Sequence, residues 1–74
     1  MKIVISGIGE MGSHLARMLS GNGHDITVID LDTKALNELK GLADLIIVEG
    51  DTTAFAVLRR AGVRRCDLFI AVNH

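Results

Sequence analysis

Gly7-Ile8-Gly9-Glu10-Met11-Gly12 repeats glycine in the pattern G-x-G-x-x-G. Three residues without a Cβ at that spacing have separate tasks: Gly7 permits a tight turn, Gly9 lets backbone approach a ligand, and Gly12 lets a following helix pack closely on the preceding strand. If the loop opens a helix, the N–H groups around Glu10 and Met11 sit at the positive end of its dipole, and the chemistry is non-covalent holding of a pyrophosphate. Eight glycines in 74 residues produce near matches easily. The pattern therefore gains weight only with a strand before it and a helix after it, and a glycine-rich turn that binds nothing is the alternative.

Asp30 stands 18 residues beyond Gly12, where a dinucleotide site places a carboxylate to accept from ribose hydroxyls, with Leu31 beside it. An ionised Asp30 repels a 2′-phosphate and so favours NAD(H) over NADP(H), although Lys34 is near enough to offset part of that charge. The alternative is that Asp30 serves only the Asp30-Leu31-Asp32 turn. Asp51 and Thr52, in Glu49-Gly50-Asp51-Thr52, are placed for the adenine edge or for a plain helix cap. Ala71, Val72 and Asn73 line the floor of the same crevice, beside the pyrophosphate or second ribose, if the strands are parallel. Glu10 fits the dipole of an empty helix end but opposes phosphates. The loop lacks the Lys and Ser/Thr of G-x-x-x-x-G-K-[ST], which excludes a P-loop nucleotide hydrolase.

The remaining reactive types do not assemble into a catalytic group. His14, His24 and His74 are scattered, and His14 is expected in solvent. Cys66 has no local base and reads as a buried or semi-buried inert thiol. Arg59, Arg60, Arg64 and Arg65 complement a helix C-terminus, or alternatively dock onto an acidic partner. No nucleophile, acid–base pair or metal cluster is expected, and the chain reads as a binding module rather than an enzyme.

The elements that must position these residues alternate. Lys2 to Ser6, Asp25 to Asp30, Leu45 to Val48 and Asp67 to Val72 read as strands. Between them, a helix over Glu10 to Ser20 carries Met11, Leu15, Met18 and Leu19 as its apolar stripe, and a second runs from Thr33 to Lys40, capped by Asp32 and closed by Gly41. A third, capped by Asp51 or Thr52, has Phe55, Leu58 and Ala61 as its stripe and ends at Gly62. The order βαβαβαβ with short connections implies an α/β fold with a parallel sheet, order 3-2-1-4, the first two helices on one face and the third on the other.

Composition agrees with one small domain over residues 1–74. Apolar residues make up 49%, Phe55 and Phe69 are the only aromatics, and the net charge is −1, so the core is aliphatic and no global charge favours nucleic acid. No apolar run approaches the roughly 20 residues of a membrane span. Met1-Lys2 leads straight into Ile3-Val4-Ile5, which argues against a secretory signal, and the single cysteine suits a reducing, cytoplasmic setting.

Lys2-Ile3-Val4-Ile5 leading into the glycine loop, Asp25 to Asp30, Gly50-Asp51-Thr52-Thr53, Leu58-Arg59-Arg60-Ala61-Gly62-Val63 and Cys66 to Val72 together resemble the N-terminal nucleotide-binding part of Trk-type potassium-uptake regulators, the TrkA-N, KTN or RCK domains. The glycine loop is common to Rossmann domains, whereas G-D-T followed by L-x-x-A-G and a D-x-x-x-A-V strand is much more specific. The resemblance implies a cytoplasmic gating subunit that binds NAD(H) or an adenine nucleotide and passes its occupancy to a membrane potassium channel or transporter. By position, Gly7, Gly9 and Gly12 hold the diphosphate, Asp30 the ribose, and Asp51 with Thr52 the adenine. Some ATP-responsive relatives carry arginine at the place of Glu10, which favours NAD(H) or ADP over ATP here. Family domains continue beyond a fourth strand, so a truncated domain with a bare edge and a tendency to self-associate is expected. The competing reading is the cofactor half of an NAD-dependent dehydrogenase.

Overall fold

A computed structural model describes residues 1–72. Strand β1 (Lys2–Ser6) is followed by α1 (Gly9–Gly21), β2 (Asp25–Asp30), α2 (Thr33–Leu42), β3 (Ile46–Glu49), α3 (Phe55–Arg60), a 3-10 turn at Val63–Arg65 and β4 (Leu68–Ala71). The strands form one all-parallel sheet in the order β3-β2-β1-β4, as the crossovers require, and the fold is Rossmann-like.

Side chains alternate between the faces of the two central strands. Ile3, Ile5, Ile26 and Val28 bury against Ala16 of α1 and Leu36 and Leu39 of α2, whereas Val4 and Ile29 meet Ala61, Val57 and Leu58 on the opposite face. Burial on both sides explains why β1 and β2 read as nearly continuous apolar runs. The outer strands are less covered: Ile46 is 64% and Phe69 40% exposed, both on the α3 side by alternation from Val48 and Ile70.

The helices depart from their expected form in instructive ways. The buried residues of α1 are Gly12 and Ala16, with Leu15 and Leu19 packed beside them, while Met11 and Met18 are exposed. The helix approaches the sheet on its smallest side chains, so its stripe is rotated from the one large apolar residues suggest. Helix α2 is not closed by Gly41. That glycine lacks a positive φ, the helix continues to Leu42, and the Ala43 amide still donates to the Leu39 carbonyl at 3.1 Å.

Helix α3 is capped by neither Asp51 nor Thr52. It starts at Phe55 after an Ala54 that offers no side-chain cap, and Phe55 is 86% exposed instead of lying on the apolar stripe. Gly62 does end it, in the left-handed conformation at φ 85°. Strand β3 is displaced by one residue and β4 shortened at both ends relative to expectation.

Candidate functional site

Parallel register brings the carboxyl ends of the strands level. Ser6 stands opposite both Ile29 and Ala71, and Asp30 opposite Glu49. The ladder then runs on into the loops: the amides of Gly7, Gly50 and Val72 donate to the carbonyls of Ile29, Asp30 and Ser6 at 2.8, 3.0 and 2.8 Å. The glycine loop, Asp30, the start of Gly50-Asp51-Thr52 and Ala71 therefore share one edge although up to 64 residues separate them in sequence. Asn73 lies outside the described residues.

Two loop glycines are required by the chain's own backbone. Gly7 has φ 92°, and a Cβ there would lie 2.2 Å from the Val72 carbonyl oxygen; one on Gly12 would lie 2.6 Å from the Gly7 carbonyl oxygen. Gly9, at φ 48°, is left-handed as well. The loop is thus wedged between the end of β4 and the first turn of α1, with its middle glycine in a conformation side chains disfavour.

The amino end of α1 differs from that of α2. In α2 the Asp32 carboxylate accepts from the Ala35 amide at 3.1 Å, whereas no side chain caps α1 and its first turn presents only the exposed Glu10. An uncapped helix start holds N–H groups and positive potential available to an anion, which Glu10 partly opposes.

Asp30 is half-buried beside the loop. Its Oδ2 accepts from the Ile8 amide at 2.8 Å and its Oδ1 from the Asp32 amide at 2.9 Å. Leu31 projects next to it, 67% exposed. A groove of about 470 Å³ borders the loop on the α1 and α2 side, lined by Ile8, Gly9, Glu10, Ser13 and Asp32 among others.

Asp51 is exposed and makes a local turn: its Oδ1 accepts from the Thr53 hydroxyl at 2.7 Å and the Thr53 amide at 2.8 Å. Those two bonds, the hydroxyl's first, hold the carboxyl below the usual carboxylate range against a small opposing effect of burial. Thr52 is half-buried beside it. Two residues on this edge escaped sequence reasoning. Thr53 fixes Asp51, and a hydroxyl two residues after an aspartate was an available signal. Gly50 admits α3, since a Cβ there would lie 2.7 Å from a Val57 methyl.

Other groups settle into supporting positions. The Cys66 thiol is half-buried and donates to the Val63 carbonyl at 3.1 Å. Arg60 donates to the Glu49 carbonyl at 2.9 Å, tying α3 to β3. His14 is exposed. Among the described residues no three His, Cys, Asp or Glu side chains gather as a metal site, and no helix is long and apolar enough to cross a membrane.

A groove larger than the one beside the loop, about 720 Å³, lies at the opposite edge, where Lys2, Asp25, Ile46, Ala61 and Arg65 meet. It contains none of the glycine loop, Asp30 or Asp51. Size favours that groove, but the convergence of strand ends, the uncapped helix start and the oriented carboxylate all favour the carboxyl edge.

The TrkA-N domain model matches residues 3–74. The chain is 43% identical over 73 residues to a Trk system potassium uptake protein TrkA homolog of Archaeoglobus fulgidus, covering 99% of this chain and 16% of that protein. Against a protein of the same description from Pyrococcus abyssi it is 35% identical over 73 residues, covering 99% and 32%. Against the Trk system potassium uptake protein TrkA of Vibrio alginolyticus it is 39% identical over 74 residues, covering 100% and 16%. The chain spans between 16% and 32% of the length of these relatives.

Proposed function

The chain belongs to the TrkA-N domain family, and from that premise we propose that residues 1–74 form the N-terminal, nucleotide-binding part of a regulatory protein of a potassium-uptake system. The ligand is NAD(H), with ADP as the adenine nucleotide that can replace it. The backbone of Gly7, Ile8, Gly9, Glu10, Met11 and Gly12 holds the diphosphate, Asp30 and the adjacent Leu31 the adenosine ribose, and Asp51 with Thr52 the adenine edge; Ala71 floors the crevice. ATP is disfavoured because the Glu10 carboxylate adds to the charge that a third phosphate must oppose. The domain performs no chemistry: occupancy of the crevice is passed to a membrane potassium channel or transporter, against which the protein sits on the cytoplasmic side. Exposed Ile46 and Phe69 supply apolar surface for a homo-oligomer.

The observation that carries this reading is the glycine loop opening an uncapped helix directly beside an oriented carboxylate. Calorimetric titration with NADH, NAD+, NADPH, ADP and ATP tests it. Saturable binding of NAD(H) or ADP is expected, weakened by Asp30→Ala and absent for NADPH. Binding of none of the five would refute the nucleotide reading.

A further inference from the structure

We propose that Asp30 is the positioning residue that sets the glycine loop in its diphosphate-ready shape, in addition to any contact it makes with a ribose. The carboxylate stands at a junction. Ile8, the residue between the first two loop glycines and the boundary residue of α1, donates its amide to Oδ2 at 2.8 Å. Asp32, which caps α2, donates its amide to Oδ1 at 2.9 Å. One side chain thus braces the loop from β2 and fixes the start of α2 at the same time.

The geometry explains why a brace is needed. Gly7 and Gly9 are both left-handed, so the backbone on either side of Ile8 is set by residues with wide conformational freedom. On the strand side the loop is held by the Gly7 amide on the Ile29 carbonyl at 2.8 Å. Beyond Gly7, the Asp30 carboxylate is the polar partner that fixes the Ile8 amide before α1 begins. A carboxylate has about four acceptor sites, of which two are taken by these amides, and both oxygens retain capacity for a ribose hydroxyl. Because each of its two oxygens accepts from a backbone amide, the group is restrained from rotating away from a 2′-phosphate. Ribose recognition and the shape of the phosphate loop are therefore coupled through one side chain.

The ligand arm of this inference rests on the nucleotide reading above; the brace itself does not. Amide exchange of the ligand-free protein by NMR decides the brace. In Asp30→Ala, the Ile8 and Asp32 amides are expected to lose protection while Gly7, bonded to Ile29, keeps its own; unchanged exchange at Ile8 would overturn the proposal. Asp30→Asn, with one acceptor oxygen, should release one of the two amides only. If both variants unfold, the unaltered protein still decides, because scalar coupling across the hydrogen bond between the Ile8 amide nitrogen and the Asp30 carboxyl carbon is expected and its absence would overturn the brace. Binding then separates bracing from simple ribose contact. Adenosine should lose about tenfold in affinity in Asp30→Ala and ADP at least about a hundredfold, the excess reflecting a loop no longer set for phosphate. Equal losses would confine Asp30 to the ribose. A protein that binds neither of these two nor NADH would refute the proposed function and leave the amide result to decide the brace.

Discussion

Gly12→Ala and Gly21→Ala make the same chemical change in the same helix and should move stability in opposite directions. Alanine in place of glycine inside a helix is favourable by up to about 1 kcal/mol, less at the last residue. Gly21 ends α1 with nothing within 4 Å of an added Cβ, so alanine there should stabilise by about 0.5 kcal/mol. At Gly12 the new Cβ lies 2.6 Å from the Gly7 carbonyl oxygen, 0.8 Å inside the 3.4 Å at which ordinary contact begins. The obstructing atom is backbone, not the far end of a flexible side chain, so relief requires the glycine loop itself to shift. Overpacking of this kind costs about 1–3 kcal/mol, which exceeds the helical gain. Gly12→Ala should therefore destabilise by about 1–2 kcal/mol, a large fraction of the roughly 4–11 kcal/mol available to a chain of this size. Urea unfolding with an unchanged slope measures both, and each kcal/mol corresponds to about 4–8 °C in thermal midpoint. If Gly12→Ala matches or exceeds the parent in stability, the close approach of α1 to the loop is not what demands glycine.

Core and surface should separate just as clearly: Leu36→Ala, fully buried, should cost about 2–5 kcal/mol, while Phe55→Ser at the start of α3 should stay within about 0.5 kcal/mol, both read by urea unfolding. Asp32→Ala should cost about 1 kcal/mol by removing the acceptor for the Ala35 amide, and should raise exchange of that amide. Asp51 titrates below its unfolded value, so its contribution to stability is present above that value and is lost as pH falls through the lower folded one. Thr53→Val removes the hydroxyl donor and should raise the Asp51 pKa toward the ordinary range. Carboxyl NMR titration reads that shift directly, and the stability gap between variant and parent should close below about pH 4.

The parts of the fold legible in sequence are those where one physical rule acts alone. Strands β1 and β2 begin and end at the expected residues because they are apolar on both faces and bounded by loop-forming residues. The strand order follows from crossover handedness and from the place of the glycine loop. The structure departs from expectation where two rules compete. In α1, Gly12 and Ala16 face the sheet because small side chains permit close approach, a property hidden from a pattern built on large apolar residues. In α2, Gly41 is expected to close the helix but lies inside it without a positive φ. Before α3, Asp51 has the chemistry of a helix cap and uses it instead in a turn with Thr53. The convergence of Gly7, Asp30 and the segment of Asp51 on one edge follows from parallel topology, whereas the bonding of Asp30 to Ile8 does not, because it depends on where one carboxylate points.

The central claim is that the carboxyl edge of the sheet takes the ligand. Titrating NADH into the isotope-labelled protein and following its amide resonances measures this directly. Shifts concentrated in residues 7–12, at Asp30 and at Asp51 and Thr52 are predicted, with Lys2, Asp25 and Arg65 at the larger groove undisturbed. Shifts confined to that groove, or no shifts at saturating NADH, would contradict it.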